Sequence, residues 1–585
     1  MAATAPASLR LSRERCFVDK AFRRFFAPAL LSSVGLALGG MVDCLVVGAK
    51  MGADGLSAIS LGIPIYLFYN VLSYGFSIGG SIHYAAALAE GRADDGRAIF
   101  NSVLSFLIGV YLVTATLGLA FLPQLLSLLG ADSAHSEVYA IAERYVRAQL
   151  ICVPVLYCQG PFFYFVNCDD APKLAAAAMV VSNAVDIVLN YVFVIVLGMG
   201  AEGSVWSTVI GAAFCLIICG SHIVRRRGVL RFAFTRPDFG ILARCMRTGF
   251  ASSVQYIYQF VTVLAVNKLL MRTCGAAGVA VFDVIYNLSL FSASVAESIG
   301  TTLQPMVSTY RAERDADAVR RTMQLSLLWG SAFSLAAAAL LGAFARPLCS
   351  LFGLEGASWT LGVTALHIYL LSILPAFWNQ CMIYYDQSSA RVRSAFWTES
   401  LRLFICFLPL TLILGSRDVL SFWWVYPLSE LGALIYVFAG MRARRRDWAE
   451  RGDNIYTSYA DSPLTLGAEV EAFQRRCEEW GCSAQSAYCA TLVLEELCAA
   501  ILEDAAKNAK SDVLIKFTAI LDFTAILDDG GALTLHIRDN SYEFNPFELE
   551  AAGDGDALGM TFVRKKAQEF FYRRYLGFNT LVVKL

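Results

Sequence analysis

The apolar residues of this 585-residue chain come in runs of about twenty that follow one another through most of the sequence and then stop. A hydrocarbon core of about 30 Å is crossed by about 20 apolar residues in a helix, so these runs predict membrane-spanning helices. Composition agrees: 57% of the residues are apolar and only 16% are charged, against roughly 25% in soluble chains. The sequence therefore predicts a polytopic, all-α membrane part.

About twelve transmembrane helices are predicted. They lie at residues 25–48, 58–88, 99–122, 138–166, 174–198, 203–224, 247–271, 277–305, 322–345, 358–385, 395–415 and 420–441. An even number puts both ends of the membrane part on one side. Lys and Arg concentrate on that side, at the N-terminus and in the loops at 90–97, 225–247, 311–321, 391–393 and 442–446. Because basic loops stay in the cytoplasm, we expect a multi-pass plasma-membrane protein with both termini cytoplasmic.

Two stretches match when the chain is shifted along itself by about 223 residues. Residues 51–56 align with 274–279, and residues 90–97 align with 313–320. An offset of six helices keeps both copies in one orientation, which predicts two six-helix bundles with a substrate cleft between them. A scaffold or receptor with duplicated helices is the alternative.

A few charged and amide side chains interrupt the apolar runs. Asp43 lies in the first run. Asn183, Asp186 and Asn190 lie three and four residues apart in the fifth, which places them on one helix face. Since a charge within the membrane is costly, this stripe predicts a proton or sodium site. Interhelical hydrogen bonding without a bound ion is the alternative.

The second half contains further charges. Asp283 and Glu297 lie fourteen residues apart on the eighth predicted helix, close to the same face, and predict a second polar site. Glu399 and Arg402, three residues apart, are expected to pair. The sixteen cysteines are scattered through apolar runs and predict packing residues, so we expect neither a metal site nor disulfides.

Residues 20–440 resemble the multidrug and toxic compound extrusion (MATE) transporters. The matching stretches are Val42–Gly48, the fifth helix through Leu197–Gly203, and Ser207-Thr208. The resemblance implies two six-helix bundles that form a secondary active antiporter. Such a protein exports small organic compounds, often cations, through the lipid membrane in exchange for H⁺ or Na⁺ and requires no cofactor.

The resemblance also implies roles for single residues. Asp43 matches the family's first-helix carboxylate, and Thr208 matches a sixth-helix hydroxyl near the ion site. The family often has Asn and then Asp, four residues apart, on the fifth helix, whereas here Asp186 precedes Asn190. The swap keeps one carboxylate and one amide. Lipid-linked precursor flippases share the broader fold, so a flippase is an alternative function.

After Arg446 the pattern is that of a soluble domain. Residues 467–480 and 484–507 have the periodicity of amphipathic helices. Strands are predicted at 513–527, 532–538 and 580–585, with a helix from about 559 to 570. These elements predict a small α/β sandwich. Its excess of about ten acidic side chains contrasts with the basic membrane part and supports a separate domain.

This tail resembles the GHKL ATPase fold in its small anti-sigma-factor kinase form. The matching motifs are Leu494–Ala500, Ile537–Ser541, and Leu558–Met560 with Val563–Lys565. The resemblance implies four nucleotide-binding positions. They are a general base at Glu496, an adenine-binding carboxylate at Asp539, and lid glycines near the phosphates at Gly555 and Gly559.

Two residues depart from that pattern. Ala500 stands where the family has its Mg²⁺-binding Asn, which removes a ligand for the metal–triphosphate, and Ser541 replaces an expected Gly. We therefore expect a degenerate module that binds ATP or a cytosolic regulatory protein, without an active kinase or ATPase centre. A membrane-anchored signalling protein, whose tail binds or phosphorylates a regulator, is the second alternative function.

The predicted organisation has six parts, and no nucleic-acid partner is expected. They are a cytoplasmic N-terminus (1–20), an N-terminal six-helix bundle (21–224), a cytoplasmic linker (225–246), a C-terminal six-helix bundle (247–441), a second linker (442–466) and a GHKL-like domain (467–585).

Overall fold

The computed structural model describes residues 7–128, 136–351, 354, 356–442, 444, 454–510, 512–521, 533–548, 557–575 and 577–585. Some helix side chains within these ranges, those of Asp43 and Asp283 among them, lie outside the description. The described part is mostly helical and ends in a small sheet domain, as the sequence predicts.

The helices of the first lobe are α1 (Ala7–Ala89), α2 (Ala93–Ala120), α3 (Leu122–Leu128), α4 (Ser136–Cys168), α5 (Pro172–Asn190), the π-helical segment π1 (Tyr191–Val196) and α6 (Ala201–Val224). Those of the second lobe are α7 (Phe239–Ala312), α8 (Ala316–Ala343), α9 (Ala345–Leu351), α10 (Gly356–Ser388), α11 (Val392–Ser400), the π-helical segment π2 (Leu401–Ile405), α12 (Phe407–Gly415), α13 (Val419–Phe422) and α14 (Val425–Ala439).

The backbone of the first lobe repeats in the second. Helices α2 and α8 both have 28 residues, α3 and α9 have 7, and α4 and α10 have 33. The same loops carry left-handed residues: Gly91 (φ 77°) matches Arg314 (φ 54°), and Asp170 (φ 59°) matches Ala390 (φ 57°). The internal repeat predicted from two short sequence matches is therefore present in the structure.

Eight helical segments within the described residues are long and apolar enough to cross a membrane. They correspond to α2, α4, α5 with π1, α6, α8, α10, α11 through α12, and α13 with α14. Their lengths and hydropathy confirm a multi-pass membrane protein.

The long helices α1 and α7 both turn back on themselves. Near the start of α1 the Phe17 ring lies 5.1 Å from the Phe578 ring, and just after its end Gly91 packs on Val582, in the same short strand. A straight helix between Phe17 and Gly91 would span about 110 Å. The chain therefore reverses direction, and we call the two antiparallel parts the first and second arms of α1.

Helix α7 reverses in the same way. Ser252, near its start, contacts Gln387, and Gly300, near its end, packs on Tyr384. The two contact points lie one turn apart on α10, whereas a straight helix would separate Ser252 from Gly300 by about 70 Å. Helix α7 therefore also has two antiparallel arms.

The C-terminal domain contains β1 (Ile455–Ala460), α15 (Pro463–Glu479), α16 (Ala484–Lys507), β2 (Ile515–Leu521), β3 (Leu533–Asp539), α17 (Ala557–Lys566), β4 (Glu569–Tyr575) and β5 (Phe578–Lys584). The strand order is β1-β2-β3-β5-β4, and every neighbouring pair is antiparallel. One sheet face packs on the three helices around Phe473, Leu497 and Phe517. The other face lies against the two lobes, whose adjoining end we call the domain-facing end.

The strands at the two sheet edges differ from the sequence prediction. Strand β1 lies in the segment predicted as the linker 442–466. It was not predicted because its six residues show no clear alternation of apolar and polar side chains. Strand β4 begins at Glu569, although a helix was predicted to about residue 570. Its arginines and aromatic residues lie on both faces without an alternation of polarity, so the sequence gives no clear strand signal. Arg573 and Tyr575 are buried on one face, whereas Phe570 on the other is 47% exposed.

Candidate functional site

The predicted polar stripe of α5 is buried inside the first lobe. Asn183, Asp186 and Asn190 are 9%, 8% and 0% exposed. Asn190 Nδ2 donates a hydrogen bond to Ser204 Oγ of α6 at 3.4 Å. Thr208, also on α6, donates a hydrogen bond to the Ser204 carbonyl oxygen at 2.9 Å and lies one turn before Gly211, which adjoins Asp186. Four of the predicted site residues thus form one cluster between α5 and α6.

A glycine permits this close approach. A Cβ at Gly211 would lie 2.6 Å from the Ser182 carbonyl oxygen and 3.3 Å from Asp186 Cβ, so only a residue without a side chain fits there. Within the described part of the chain, the buried Oδ1 of Asp186 accepts no hydrogen bond, and the buried Nδ2 of Asn183 donates none. Buried polar atoms of this kind are normally satisfied, so the cluster has spare capacity to bind a ligand.

The first arm of α1 completes one wall of the cluster. A Cβ at Gly35 would lie 3.4 Å from Asn183 Nδ2, and one at Gly39 would lie 4.0 Å from the same side chain. Residue 43 follows Gly39 by one helical turn on the same face. The side chain of Asp43 itself lies outside the described residues.

Glu297 lies between the two lobes. Its Oε1 accepts a hydrogen bond from the Tyr164 hydroxyl of α4 at 2.9 Å, and its Oε2 accepts one from the Tyr384 hydroxyl of α10 at 2.5 Å. The Tyr74 ring lies 6.3 Å from the Tyr164 ring, so aromatic groups surround the carboxylate. The predicted second polar site is thus an interlobe contact at Glu297, while the side chain of its predicted companion Asp283 lies outside the described residues.

A charge network in the second lobe is larger than the sequence indicated. Arg402 lies 3.6 Å from Glu399, as expected, but its main partner is Glu430, at 3.0 Å. Asn379 Nδ2 also donates to Glu430 at 2.8 Å. Neither carboxylate oxygen of Glu399 accepts a hydrogen bond from a described residue, although the side chain is 1% exposed. The signal missed in the sequence is the single charge, Glu430, within the last predicted span.

Three of the predicted nucleotide positions, Glu496, Asp539 and Gly559, are described, and they lie on the helix-covered side of the C-terminal sheet. Asp539, at the end of β3, is fully buried; its Oδ1 accepts hydrogen bonds from the Ser541 amide and from Asn579 Nδ2, both at 2.9 Å. Its Oδ2 has no partner within the described residues. Burial raises the pKa of this carboxyl group above its ordinary value, against the hydrogen bonds from Ser541 and Asn579.

Glu496 on α16 and Gly559 on α17 adjoin each other. The Glu496 carboxylate occupies the space where a side chain at Gly559 would lie. Burial and the neighbouring charges of Glu495 and Glu503 raise the pKa of Glu496. Gly555 lies outside the described residues.

Two repeated helical lobes, with a buried carboxylate inside one and another between them, define the protein as a polytopic membrane transporter. The MatE family profile matches residues 28–192 and 248–413, one segment in each lobe, and the chain belongs to this family. The match ends before the C-terminal domain.

Known proteins resemble the chain over the same region. It is 22% identical over 434 residues to the probable multidrug resistance protein YoeA of Bacillus subtilis, covering 71% of this chain and 91% of that protein. It is 24% identical over 449 residues to the probable multidrug resistance protein NorM of Photorhabdus laumondii, covering 73% and 96%.

Solved structures share the fold. An outward-facing multidrug resistance MATE transporter of the MOP superfamily has a TM-score of 0.68 at 18% identity and covers 77% of this chain and 100% of its own. A MOP superfamily transporter from Pyrococcus furiosus has a TM-score of 0.65 at 18% identity, covering 75% and 99%.

Proposed function

We propose that the protein is a multidrug exporter that moves organic compounds, often cations, out of the cell in exchange for H⁺ or Na⁺. The names of its relatives support the substrate class, since those proteins are described as multidrug resistance proteins. The observation that carries the exchange mechanism is the buried Asp186 carboxylate, one oxygen of which has no hydrogen-bond partner among the described residues. Neither a flippase nor a signalling protein has a comparable observation in its favour.

The cluster between α5 and α6 is the proposed ion site. A carboxylate within a membrane is stable when it is neutralised, either by a proton or by a bound cation. Asn183, Asn190 and Thr208 supply amide and hydroxyl oxygens of the kind that coordinate Na⁺, and they also suit a protonated Asp186. Asp43 joins them in this proposal, because the same helix face of α1 contacts Asn183 at Gly35. The ion thus neutralises a charge that is costly to keep inside the membrane.

We also propose that the protein lies in the plasma membrane, crosses it twelve times and has both termini in the cytoplasm. The eight apolar segments supply eight crossings, and the paired arms of α1 and α7 supply the other four. The excess of basic loops at the domain-facing end supports its cytoplasmic position.

Efflux from proteoliposomes tests the transport proposal. A fluorescent organic cation is loaded, and an inward Na⁺ or H⁺ gradient is imposed. We expect gradient-driven efflux, lowered about tenfold or more by Asp43→Asn or Asp186→Asn, since each removes a titratable charge at similar volume. Asp94→Asn is the control, because Asp94 is exposed and pairs with Arg97 at the surface. Equal efflux by Asp186→Asn and wild type contradicts the ion site.

The C-terminal domain is proposed as a degenerate GHKL-like module that regulates transport. Oδ2 of Asp539 has no hydrogen-bond partner among the described residues, which supports a ligand with an amino group, as an adenine ring has. The absence of an amide at Ala500 predicts that binding does not depend on Mg²⁺. Titration of the full-length protein with a fluorescent ATP analogue tests this. We expect Asp539→Asn to weaken binding about tenfold or more, since one amino-group hydrogen bond to a charged acceptor is lost, and unchanged binding contradicts the assignment.

A further inference from the structure

Three cations lie in one row across the C-terminal sheet. Lys516 on β2 is in register with Arg538 on β3, Arg538 with Thr580 on β5, and Thr580 with Arg573 on β4. Residues paired across antiparallel strands share a face, so the cations all point away from the domain's helices. They are 4%, 5% and 8% exposed. We call Lys516, Arg538 and Arg573 the charged row.

The charged row lies against the loop between α7 and α8. Arg538 Nη2 donates to Glu313 Oε1 at 2.6 Å, and Lys516 forms an ion pair with Asp315. The Arg538 guanidinium also lies 5.3 Å from the centre of the Tyr310 ring. Like charges on neighbouring strands repel each other, and burial increases the cost. The two carboxylates of the second lobe therefore stabilise the charged row in its buried position.

The equivalent loop of the first lobe contacts the same sheet by apolar packing. Its charged residues, Glu90 and Arg92, pair with each other and are about half exposed. Between them, a Cβ at Gly91 would lie 3.4 Å from Phe571 and 3.5 Å from Val582. The sheet thus bridges both repeat-related loops, with ion pairs to one lobe and apolar contacts to the other.

The lobes also contact each other directly at this end. Asn167 Nδ2 of α4 donates to the Thr301 carbonyl oxygen of α7 at 3.1 Å. Asp19 at the start of α1 forms a two-point ion pair with Arg321 of α8, at 2.8 and 2.7 Å. A cleft between the lobes opens at the domain-facing end only when these contacts break. A sheet held by both loops opposes that separation.

We propose that the C-terminal domain is a clamp that holds the domain-facing end of the transporter closed and is released by separation of the charged row from Glu313 and Asp315. The inference rests on the proposed transport function, in which the cleft opens alternately at its two ends. Arg573 makes the clamp reversible: none of its nitrogens is hydrogen-bonded within the described residues, although the side chain is buried. The guanidinium lies 3.7 Å from the centre of the Tyr575 ring, and its charge acts on Glu313, so the charge is partly compensated. The hydrogen bonds that it lacks offset part of the stabilisation from the two ion pairs.

Hydrogen–deuterium exchange on the full-length protein in lipid nanodiscs tests the clamp. Arg538→Gln and Glu313→Gln each remove the same ion pair from opposite sides. We expect each to increase exchange by about tenfold at residues 309–317 and also at the lobe contacts around Asn167 and Thr301, as the loss of a buried pair permits local opening. The double variant Arg538→Glu, Glu313→Arg should return both regions to the wild-type rate. The control Arg476→Gln breaks an exposed pair on α15 and should change neither.

The same variants are compared for efflux, where release of the clamp should accelerate transport. Faster exchange in the α7–α8 loop without any change at the lobe contacts overturns the clamp, and so does unchanged exchange in that loop. Failure of the wild type to transport with either gradient overturns the proposed function instead. The exchange measurement still decides the clamp in that case, because it does not depend on transport.

Discussion

At the residue scale, the most enclosed ion pair joins Asp386 to Arg444. The two side chains are 0% and 1% exposed, and Arg444 Nε donates to Asp386 Oδ1 at 2.9 Å. We expect Asp386→Asn to destabilise the protein by about 3–5 kcal/mol, because it leaves a buried guanidinium without a counter-charge. Thermal unfolding in detergent measures the change. Replacing the exposed Glu143, which pairs with Arg147, should cost less than about 1 kcal/mol.

The Arg402 network predicts an order of effects. Arg402 is the shared counter-charge of Glu399 and Glu430, so Arg402→Gln leaves two buried carboxylates unpaired. Glu399 accepts no hydrogen bond from a described residue, so Glu399→Gln removes one buried charge without breaking a hydrogen bond to those residues. We expect Arg402→Gln to cost about 3–5 kcal/mol and Glu399→Gln to cost little. Equal losses of melting temperature in the two variants would show that Glu399 contributes a stabilising contact.

Sequence spacing predicted local neighbours well and distant ones poorly. The stripe of Asn183, Asp186 and Asn190 follows directly from helical periodicity, and the structure places all three on one buried face. The partners of Glu297 come from helices more than 80 residues away, and nothing in the spacing of Tyr164 or Tyr384 distinguishes them from other apolar-run tyrosines. Tertiary contact, which the sequence does not display, decides such pairs.

At the scale of elements, the apolar runs located the eight membrane-length helical segments found within the described residues, because each must be continuous over the bilayer. The seven-residue helices α3 and α9 were missed, since so short a segment has no detectable period. Polar patterning located α15 and α16, whereas β1 and β4 depend on pairing with other strands. Helices are thus easier to predict here because their hydrogen bonds are local.

The crossing of α1 and α7 depends on glycines. A side chain at Gly79 would collide with the Cys245 carbonyl group, and one at Gly249 would collide with that of Gly75. We expect Gly249→Leu to separate the second arm of α1 from the first arm of α7 and to destabilise the protein by about 1–3 kcal/mol or more. Gly109→Leu on α2 is the control, since no described atom of another element lies within 4 Å of its Cβ position. Thermal unfolding of both variants measures the effect. Equal melting temperatures of Gly249→Leu and Gly109→Leu would contradict a tight crossing.

At the scale of the whole molecule, the repeat and the C-terminal domain are linked by charge. The two lobes present loops of the same backbone shape to one sheet, yet the ion pairs between the charged row and these loops, within the described residues, come from the second lobe. A repeated membrane part is thereby combined with an asymmetric contact to the C-terminal domain. The sequence indicated a separate acidic domain, but its basic sheet face became evident only from strand register.

His536, on the same sheet face, makes the stability of this arrangement depend on pH. Burial, and then the positive charges of Arg538 and Lys584, lower its pKa to about 4 from 6.5. Between pH 6.5 and about 4, the His536 side chain is therefore protonated in the unfolded protein and neutral in the folded protein. This effect leaves the unfolding free energy unreduced well above pH 6.5 and lowers it by about 1.4 kcal/mol per pH unit as the pH falls from 6.5 toward 4.

Comparison of wild type with His536→Gln isolates this effect. Burial raises the pKa of Glu313, which gives a contribution of opposite sign, but that contribution is common to both proteins and cancels in the difference. Between pH 7.5 and 5.0 we expect the wild type to lose about 2 kcal/mol more of its unfolding free energy than the variant. Chemical unfolding followed at both pH values measures it, with His367→Gln, at an exposed histidine of α10, as the control. Parallel pH dependence in wild type and His536→Gln would show that His536 does not become protonated when the sheet face is exposed.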